Sequence, residues 1–313
     1  MNKPSLSLQP DFRDDLQRWQ QLISPTWLAN LIKGRTVVAA PTAHWCLFEV
    51  DFGAPCLFLE SHIPGAGYLD TNRLEQQPLW NKVADQALLQ LLLTLGVRHD
   101  TTVILYGRHT PAAARAAQLM LYAGVTDVRM LDGGLPAWVR AGLPLGTGAP
   151  CCPLPVRDFG APFPGCPHYM IDTDQVKALL RQQDGALVSV RTWNEFIGKT
   201  SGYCYIVARG DIAGARWGQA GDDGDVNSMS AFHRPDGTMK PASDICAFWR
   251  AAGIHPHQQT AFFCGTGWRA SLAFYYAWLM DWQHISVYDG GWFEWSSNPD
   301  NPVTSHSSIA RRP

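Results

Sequence analysis

Residues Ala261-Phe262-Phe263-Cys264-Gly265-Thr266-Gly267-Trp268-Arg269-Ala270-Ser271 decide the fold class of this chain. The apolar residues at the start of the stretch are typical of the end of a buried strand. The apolar run over 269–280 is typical of a buried helix. The sequence therefore predicts a tight loop that carries a cysteine between a strand and the N-terminus of a helix.

Such a loop has chemical consequences for Cys264. Backbone N–H groups and the helix dipole converge on it and favour negative charge. A thiol in this position is expected to ionise more readily, and the thiolate is the nucleophilic form. A cysteine after a strand can also be a small buried apolar residue, but that role does not require the glycines at 265 and 267. We therefore predict that Cys264 is the nucleophile.

Two motifs together give a family resemblance. The stretch from Cys264 to Ser271, followed by Asp-Gly-Gly-Trp-Phe-Glu-Trp at 289–295, resembles the rhodanese-type sulfurtransferases, and is most similar to bacterial members with several rhodanese domains. The resemblance implies α/β domains, each with a mainly parallel sheet flanked by helices. It also implies that Cys264 takes sulfane sulfur from thiosulfate, 3-mercaptopyruvate or a protein persulfide. The sulfur would pass to a thiol, cyanide or protein acceptor.

The chain contains an internal repeat with a shift of 157 positions. Without a gap, the Asp-Gly-Gly sequence at 132–134 falls on that at 289–291, and Trp138 falls on Trp295. Strands alternate with helices in both copies, which predicts two parallel α/β layers. The same shift places Gly107 opposite Cys264, so we predict that the first copy is catalytically inactive.

Domain bounds follow from the repeat and from composition. We predict an N-terminal extension over 1–22, an inactive rhodanese-like domain over 23–148, a linker over 149–168 and a catalytic rhodanese-like domain over 169–313. The linker is rich in proline and glycine.

Local patterns near the N-terminus predict further elements. Ser24 and Pro25 predict a helix start. Residues 36–40 read as a strand, and residues 11–22 have the pattern of a helix.

Composition excludes several classes of protein. A chain of 313 residues is long enough for two cores, and a net charge of −2 argues against a surface that binds nucleic acid backbones. The eight cysteines include no CxxC pair and no metal-ligand spacing. We expect no cofactor, no metal and no membrane span. A reduced, cytoplasmic location is expected, or a periplasmic one if a signal peptide has been removed.

Six further residues are candidates for substrate binding: Gly265, Thr266, Gly267, Trp268, Arg269 and Arg191. Arg269 could contact an anionic substrate or brace the loop through an ion pair, and Arg191 could supply charge or act as a buried brace. Trp268 could line the pocket mouth or pack between the domains. Thr266 could offer its hydroxyl to the sulfur or cap the helix.

The residues after the cysteine bear on the sulfur donor. Relatives that use thiosulfate carry two basic residues there, whereas this chain has Gly265 and Thr266. Relatives of both the thiosulfate and the mercaptopyruvate type usually carry an arginine where this chain has Glu195, which is expected to repel an anion. We therefore expect weak use of thiosulfate.

Two rival functions remain at this stage. A cysteine phosphatase needs five residues between cysteine and arginine, and here Arg269 comes one position early. A persulfide carrier or protein-interaction module, in which the first domain docks a partner, is compatible with a reactive Cys264.

Overall fold

The computed structural model describes residues 11–305, which form two α/β domains of the same architecture. The first domain contains β1 (Leu22–Ile23), α1 (Pro25–Ile32), β2 (Trp45–Asp51), α2 (Cys56–Glu60), β3 (Gly67–Asp70), β4 (Glu75–Gln76), β5 (Asn81–Lys82), α3 (Asp85–Thr94), β6 (Thr102–Tyr106), α4 (Thr110–Ala123), β7 (Asp127–Leu131) and α5 (Gly134–Arg140). The second contains β8 (Met170–Ile171), α6 (Thr173–Leu179), β9 (Gly185–Ser189), α7 (Trp193–Phe196), β10 (Asp211–Ile212), β11 (Arg216–Trp217), α8 (Ala242–Ala251), β12 (Gln259–Phe263), α9 (Trp268–Leu279), β13 (Ile285–Tyr288), α10 (Gly291–Ser297) and β14 (Val303–Thr304).

Each domain is built on a five-stranded sheet whose strands all pair in parallel. The strand order is β1-β7-β6-β2-β3 in the first domain and β8-β13-β12-β9-β11 in the second. The two orders correspond strand for strand. The predicted fold class is therefore confirmed.

The repeat in the sequence is also a repeat in the structure. Moving β6 and α5 by 157 positions reproduces the bounds of β12 and α10. The tryptophan that follows the Asp-Gly-Gly sequence makes the same kind of hydrogen bond in both copies. The indole N–H of Trp138 donates to Pro144 O, and that of Trp295 donates to Pro302 O. The equivalent positions thus keep their packing although the chemistry of the loops differs.

Two helix ends follow the sequence signals. The Ser24 hydroxyl accepts a hydrogen bond from the Trp27 amide at 3.0 Å, and Pro25 occupies the first turn of α1. Gly124 ends α4 in the left-handed conformation at φ 100°.

Two local predictions near the N-terminus are wrong. Residues 36–40 form no strand but a turn, and the indole of Trp27 binds Val38 O from that turn. Residues 11–22 are not a helix: one 3₁₀ turn over Trp19–Gln21 leads into β1. The reason is tertiary, because β1 pairs with β7 at the sheet edge. Residues 1–10 of the predicted extension lie outside the described residues.

The two domains share one hydrophobic core. Helices α4 and α9 pack against each other along their lengths, and a single cluster of buried side chains includes residues from both. Tyr275 of α9 donates its hydroxyl hydrogen towards Val128 O and Gln21 O in the first domain, at 3.0 and 2.8 Å. No helix within 11–305 is long and apolar enough to cross a bilayer.

The predicted linker is bound to the first domain by backbone hydrogen bonds. The amides of Cys151, Val156 and Gly165 donate to Ala66 O, Leu93 O and Ala123 O. The exact domain bounds remain predictions, but this segment lies along the first domain rather than free in solvent.

Candidate active site

Cys264 lies where the sequence predicts, between the end of β12 and the start of α9. Its side chain is fully buried, and the Gly267 amide donates a hydrogen bond to its Sγ at 3.2 Å. Gly267 has φ 118°, a conformation that a residue with a Cβ rarely adopts. The glycine therefore turns its own N–H towards the sulfur, at the N-terminus of a twelve-residue helix.

Backbone amides of the second motif, at 289–295, bind the carbonyl groups of this loop. The amides of Trp292 and Phe293 donate to Cys264 O and Gly265 O at 2.8 and 3.1 Å. Gly291 allows this approach, because a Cβ there would lie 2.5 Å from Gly265 O, and its φ is 55°. The two amides that follow the Asp-Gly-Gly sequence thus fix the carbonyl side of the loop, which leaves the amide side for the sulfur.

Tyr203 covers the other side of the loop. A Cβ at Gly265 would lie 2.2 Å from the Tyr203 ring, so only glycine fits beneath the ring. Burial raises the pKa of Tyr203, the charge of Arg269 opposes this, and the nearby Cys264 adds to it. Tyr203 therefore remains a neutral hydrogen-bonding phenol next to the thiol.

Arg269 forms a buried ion pair. Its guanidinium donates to both oxygens of Glu195, at 2.8 and 2.9 Å, and to the Tyr203 hydroxyl at 2.9 Å. Arg269 and Glu195 are each 1% exposed. Of the two roles considered for Arg269, this geometry favours the brace, because both terminal nitrogens already have partners.

The geometry does not favour the expectation that Glu195 repels an anionic donor, because its carboxylate is paired with Arg269. Burial by itself would raise the pKa of Glu195, but Arg269, its hydrogen bonds and Arg191 lower it to about 2. The carboxylate also accepts the Thr192 amide at 2.9 Å, as part of the cap of α7. Its charge is thus neutralised inside the protein.

Arg191 is likewise a brace. It is fully buried, it donates to Gly210 O at 2.7 Å, and it forms an ion pair with Asp211 at 3.0 Å. Its place in substrate binding stays a prediction that this geometry does not favour.

The first domain reaches the loop through a hairpin formed by β4 and β5. The indole N–H of Trp268 donates to Glu75 of this hairpin at 2.8 Å. The amide of Lys82 donates to Asp289, and the Asn81 side chain donates to Glu294, at 2.8 and 2.6 Å. Trp268 therefore contacts the other domain and also lines a cleft beside the loop, and its place in substrate binding stays a prediction.

Behind the hairpin, one arginine faces two carboxylates. Arg115 of α4 binds Glu75 at 2.7 Å and Asp289 at 2.5 Å, and all three are buried. A Cβ at Gly267 would lie 3.1 Å from the Arg115 guanidinium, so this group also supports the catalytic loop. Burial raises the pKa of Glu75 to about 7, although Arg115 and the Trp268 hydrogen bond lower it. The second carboxylate on the same cation, Asp289, adds to the rise.

The cleft has a volume of about 320 Å³ and lies between the domains. The second domain contributes Thr266, Trp268, Tyr203 and Tyr205, and the first contributes Glu75 among other residues. Thr266 forms a hydrogen bond with Tyr205. The loop and its neighbours thus form one wall of a pocket that needs both domains.

The matching loop of the first domain lacks both a nucleophile and space. A Cβ at Gly107 would lie 2.6 Å from His109 O. Arg108 is bound to Glu49 at 2.8 Å and to the carbonyls of Leu57 and Ser61. The inactivity of this domain stays a prediction, and the absence of a thiol at 107 agrees with it.

Sequence reasoning missed four residues that lie beside the loop in space but far from Cys264 in sequence: Glu75, Arg115, Tyr203 and Tyr205. The two tyrosines belong to a stretch over 196–210 that the sequence marks only as a glycine- and tyrosine-rich insertion. Glu75 and Arg115 carried no signal, because their positions relative to Cys264 depend on how the domains pack.

Comparison with known proteins identifies the family of this chain. The profile of the Rhodanese-like domain family matches twice, over 24–141 and 172–298. The thiosulfate sulfurtransferase YnjE of Escherichia coli is 54% identical, over 95% of this chain and 68% of its own length. The sulfur carrier protein TtuD of Thermus thermophilus is 30% identical, over 79% of this chain and 86% of its own length.

Two solved structures share the fold of this chain. The crystal structure of YnjE superposes with a TM-score of 0.90 at 56% identity, over 93% of this chain and 69% of that one. An anaerobic ergothioneine biosynthesis enzyme from Chlorobium limicola, solved with its natural substrate trimethyl histidine, gives a TM-score of 0.88 at 36% identity, over 93% of this chain and 71% of that one.

Proposed function

We propose that this chain, a sulfurtransferase that belongs to the rhodanese-like family, carries sulfur as a persulfide on Cys264. The family is shown by the two profile matches, and the enzyme class by the similarity to a thiosulfate sulfurtransferase. The persulfide, its donor and its acceptor are the proposal.

One observation carries it: the Gly267 amide donates to the Cys264 sulfur at the N-terminus of α9. An N–H in this position stabilises a thiolate and, after transfer, the extra sulfur bound to it. The carbonyls of Cys264 and Gly265 accept hydrogen bonds from the amides of Trp292 and Phe293, so they point away from that charge.

The reaction takes two steps that balance in atoms and electrons. The Cys264 thiolate attacks the outer sulfur of the donor, the donor's bond to that sulfur breaks, and the rest of the donor leaves with the electron pair. A nucleophilic acceptor then attacks the outer sulfur of the persulfide, and Cys264 leaves as a thiolate. This is covalent catalysis with a ping-pong order.

Thiosulfate, 3-mercaptopyruvate and a protein persulfide are the donors considered. Both terminal nitrogens of Arg269 are bound to Glu195, and Arg191 is paired with Asp211. A compact dianion would thus depend on the loop amides, which favours a donor of lower charge density.

A persulfide carrier is the second candidate function. The similarity to a protein named as a sulfur carrier favours it, and it uses the same Cys264 chemistry. The two differ in turnover: an enzyme passes sulfur repeatedly between small molecules, whereas a carrier needs a protein on one side. A cysteine phosphatase is disfavoured by the short spacing from Cys264 to Arg269.

The experiment is mass spectrometry of the intact protein after incubation with each donor. We expect an addition of about 32 Da, mapped to Cys264, that cyanide removes. Cys264→Ser should lose both the addition and turnover while keeping its fold. Cys56→Ser, at an exposed cysteine of the first domain, is the matched control. Wild-type turnover by Cys264→Ser would refute the proposal.

A further inference from the structure

The two matching loops of the duplication both contribute to the cleft beside Cys264. Thr266 and Trp268 of the catalytic loop line it from the second domain, and His109 lines it from the first. The shift of 157 positions places His109 opposite Thr266, and His109 lies between β6 and α4 as Thr266 lies between β12 and α9. The loop that has no thiol therefore still supplies a side chain to the space next to the loop that has one.

The imidazole ring of His109 has no structural task. The residue is exposed, and although it is the N-cap of α4, its side chain does not cap the helix. Within residues 11–305 the ring forms no hydrogen bond, ion pair or ring contact. Its neighbour Arg108, by contrast, is bound to Glu49. The His109 ring is thus available to a molecule in the cleft.

A thiol acceptor that enters this cleft has to lose a proton there. An ordinary thiol is only about 3% ionised at pH 7, and the thiolate is the nucleophilic form. Removal from water penalises the thiolate further, because desolvation disfavours a charged group. The cleft removes water with five aromatic side chains: Phe52, Trp80, Tyr203, Tyr205 and Trp268. The acceptor therefore enters as the neutral thiol and needs a base inside the cleft.

The hydroxyl and amide groups of the cleft do not supply this base. Burial raises the pKa of Tyr205 to about 12, and burial likewise raises the pKa of Tyr203, so both phenols keep their protons at neutral pH. The Thr266 hydroxyl and the Asn227 amide, which also line the cleft, are not bases at this pH.

The two carboxylates of the cleft are also poor candidates. Glu75 is 5% exposed, and its two oxygens already accept the Arg115 guanidinium and the Trp268 indole at 2.7 and 2.8 Å. Asp51 lines the cleft as well, but aspartate is ordinarily a far weaker base than a thiolate. Histidine is the side chain whose basicity suits proton transfer at neutral pH. Among the described residues that line the cleft, His109 is the one histidine.

Charged groups lie on both sides of His109. The cleft contributes Asp51 and Glu75. A neighbouring pocket that His109 also lines contributes four more titratable or charged residues: Arg108, Arg140, His233 and Asp236. Burial lowers the pKa of His233 to about 4, so this second histidine is neutral at pH 7. A substitution of His109 alone leaves all of these groups in place, so their titrations are common to every variant compared.

We propose that His109 of the first domain is the base that takes the proton from a thiol acceptor in the cleft. The inference rests on the proposed persulfide at Cys264 and names a residue and an acceptor class for its second step. His109 takes the proton of R–SH, and the thiolate attacks the outer sulfur of Cys264–S–SH. The S–S bond breaks, Cys264 leaves as a thiolate, and the product is R–S–SH. The imidazolium then releases its proton to water.

Two thiols of similar size isolate the proton transfer: phenylmethanethiol, which is protonated at neutral pH, and 4-nitrothiophenol, which is already ionised. The Cys264 persulfide is formed with a donor, the donor is removed, and the rate of sulfur transfer to each thiol is measured at pH 7. We expect His109→Gln to lower the rate with phenylmethanethiol about tenfold and to leave the rate with 4-nitrothiophenol within about twofold. The ratio of the two rates within each variant cancels changes in the persulfide itself.

Two further readouts separate a base from a structural residue. The deficit of His109→Gln with phenylmethanethiol should shrink above about pH 9, because the thiol then ionises in water. Added imidazole should restore part of the rate to His109→Ala, since the position is exposed. His44→Gln is the matched control, because it makes the same change at an exposed histidine of the first domain outside the cleft, and it should behave as wild type.

The proposal is overturned if the ratio is unchanged in His109→Gln, or if both thiols lose rate equally, which would indicate a structural role. A ratio that falls in Glu75→Gln and not in His109→Gln would overturn it in favour of the carboxylate. A wild-type chain whose Cys264 never carries sulfur would overturn the proposed function as well. A persulfide that passes to both thiols at an unchanged ratio overturns this inference alone.

Discussion

Replacing Glu195 by glutamine tests the structural account of the catalytic loop. The change is nearly isosteric, but it removes the charge that binds both terminal nitrogens of Arg269. Breaking one side of a buried ion pair costs about 3–5 kcal/mol, because the remaining charge stays buried without its partner. We therefore expect Glu195→Gln to lower the free energy of unfolding by that amount.

The pKa of Glu195 gives an independent magnitude. It falls from its ordinary 4.5 to about 2, since Arg269, its hydrogen bonds and Arg191 outweigh the effect of burial. At about 1.4 kcal/mol for each pH unit, this corresponds to about 3 kcal/mol. The group is 1% exposed, so solvent screening takes little from this figure. The free energy from the broken ion pair and the free energy from the lowered pKa therefore agree in order of magnitude.

The sign of the pH dependence follows from the lowered pKa. A carboxyl whose folded pKa is depressed contributes stability that is complete above its unfolded pKa, near 4.5, and is lost as the pH falls through about 2. Urea unfolding of both proteins between pH 7 and pH 2 measures this. The difference between wild type and Glu195→Gln should be constant above about pH 5 and should shrink towards pH 2.

Kinetics decide between the two interpretations of Glu195. If Glu195 repelled the donor, removing its charge would lower the KM for thiosulfate. As a brace, its loss displaces Arg269 and the loop, so kcat/KM should fall by about tenfold or more. Glu60→Gln, at an exposed position of α2, is the control. A lower KM, or a stability difference below about 1 kcal/mol, would refute the reasoning.

Three further outcomes are expected. Gly291→Ala should lower the urea midpoint clearly more than Gly253→Ala. Both positions have positive φ, but only a Cβ at 291 would meet a carbonyl oxygen, 2.5 Å away. Equal losses of stability would contradict the role of the motif. Limited proteolysis within the predicted linker, 149–168, should give two fragments that elute together in gel filtration, since one core cluster spans both domains; fragments that separate freely would disprove that. In steady-state kinetics thiosulfate should show a higher KM than 3-mercaptopyruvate, because the cations near the loop are already paired; the reverse order would mean that the loop amides suffice for a dianion.

The sequence predicts the fold well because its signals are local or repeated. The bounds of β6 and β7 follow from apolar runs, and the ends of α1 and α4 follow from Ser24 and Gly124. The duplication then carries the architecture of one domain to the other. The edge strand β1 was missed, since two residues that pair with β7 leave no periodic pattern.

Only the part of the site whose residues are adjacent in sequence can be predicted. Cys264 and its glycines are adjacent in sequence, so the loop can be read directly. The pairing of Glu195 with Arg269 joins residues 74 positions apart. The approach of Glu75 to Trp268 joins residues 193 positions apart, in different domains. Such contacts depend on packing that no local pattern records.

The single guanidinium of Arg115 has a consequence for how this duplicated protein can evolve. It lies in the first domain, while one of its two carboxylates belongs to the motif of the second. A gene fragment encoding the second copy alone would leave the Asp289 carboxylate without its cation on a surface built to be covered, whereas the first copy alone would keep Arg115 paired with Glu75. Once the duplicated copies had come to share this ion, the second could no longer lose the first without cost. A copy without a nucleophile can therefore persist under selection as part of its twin's active site.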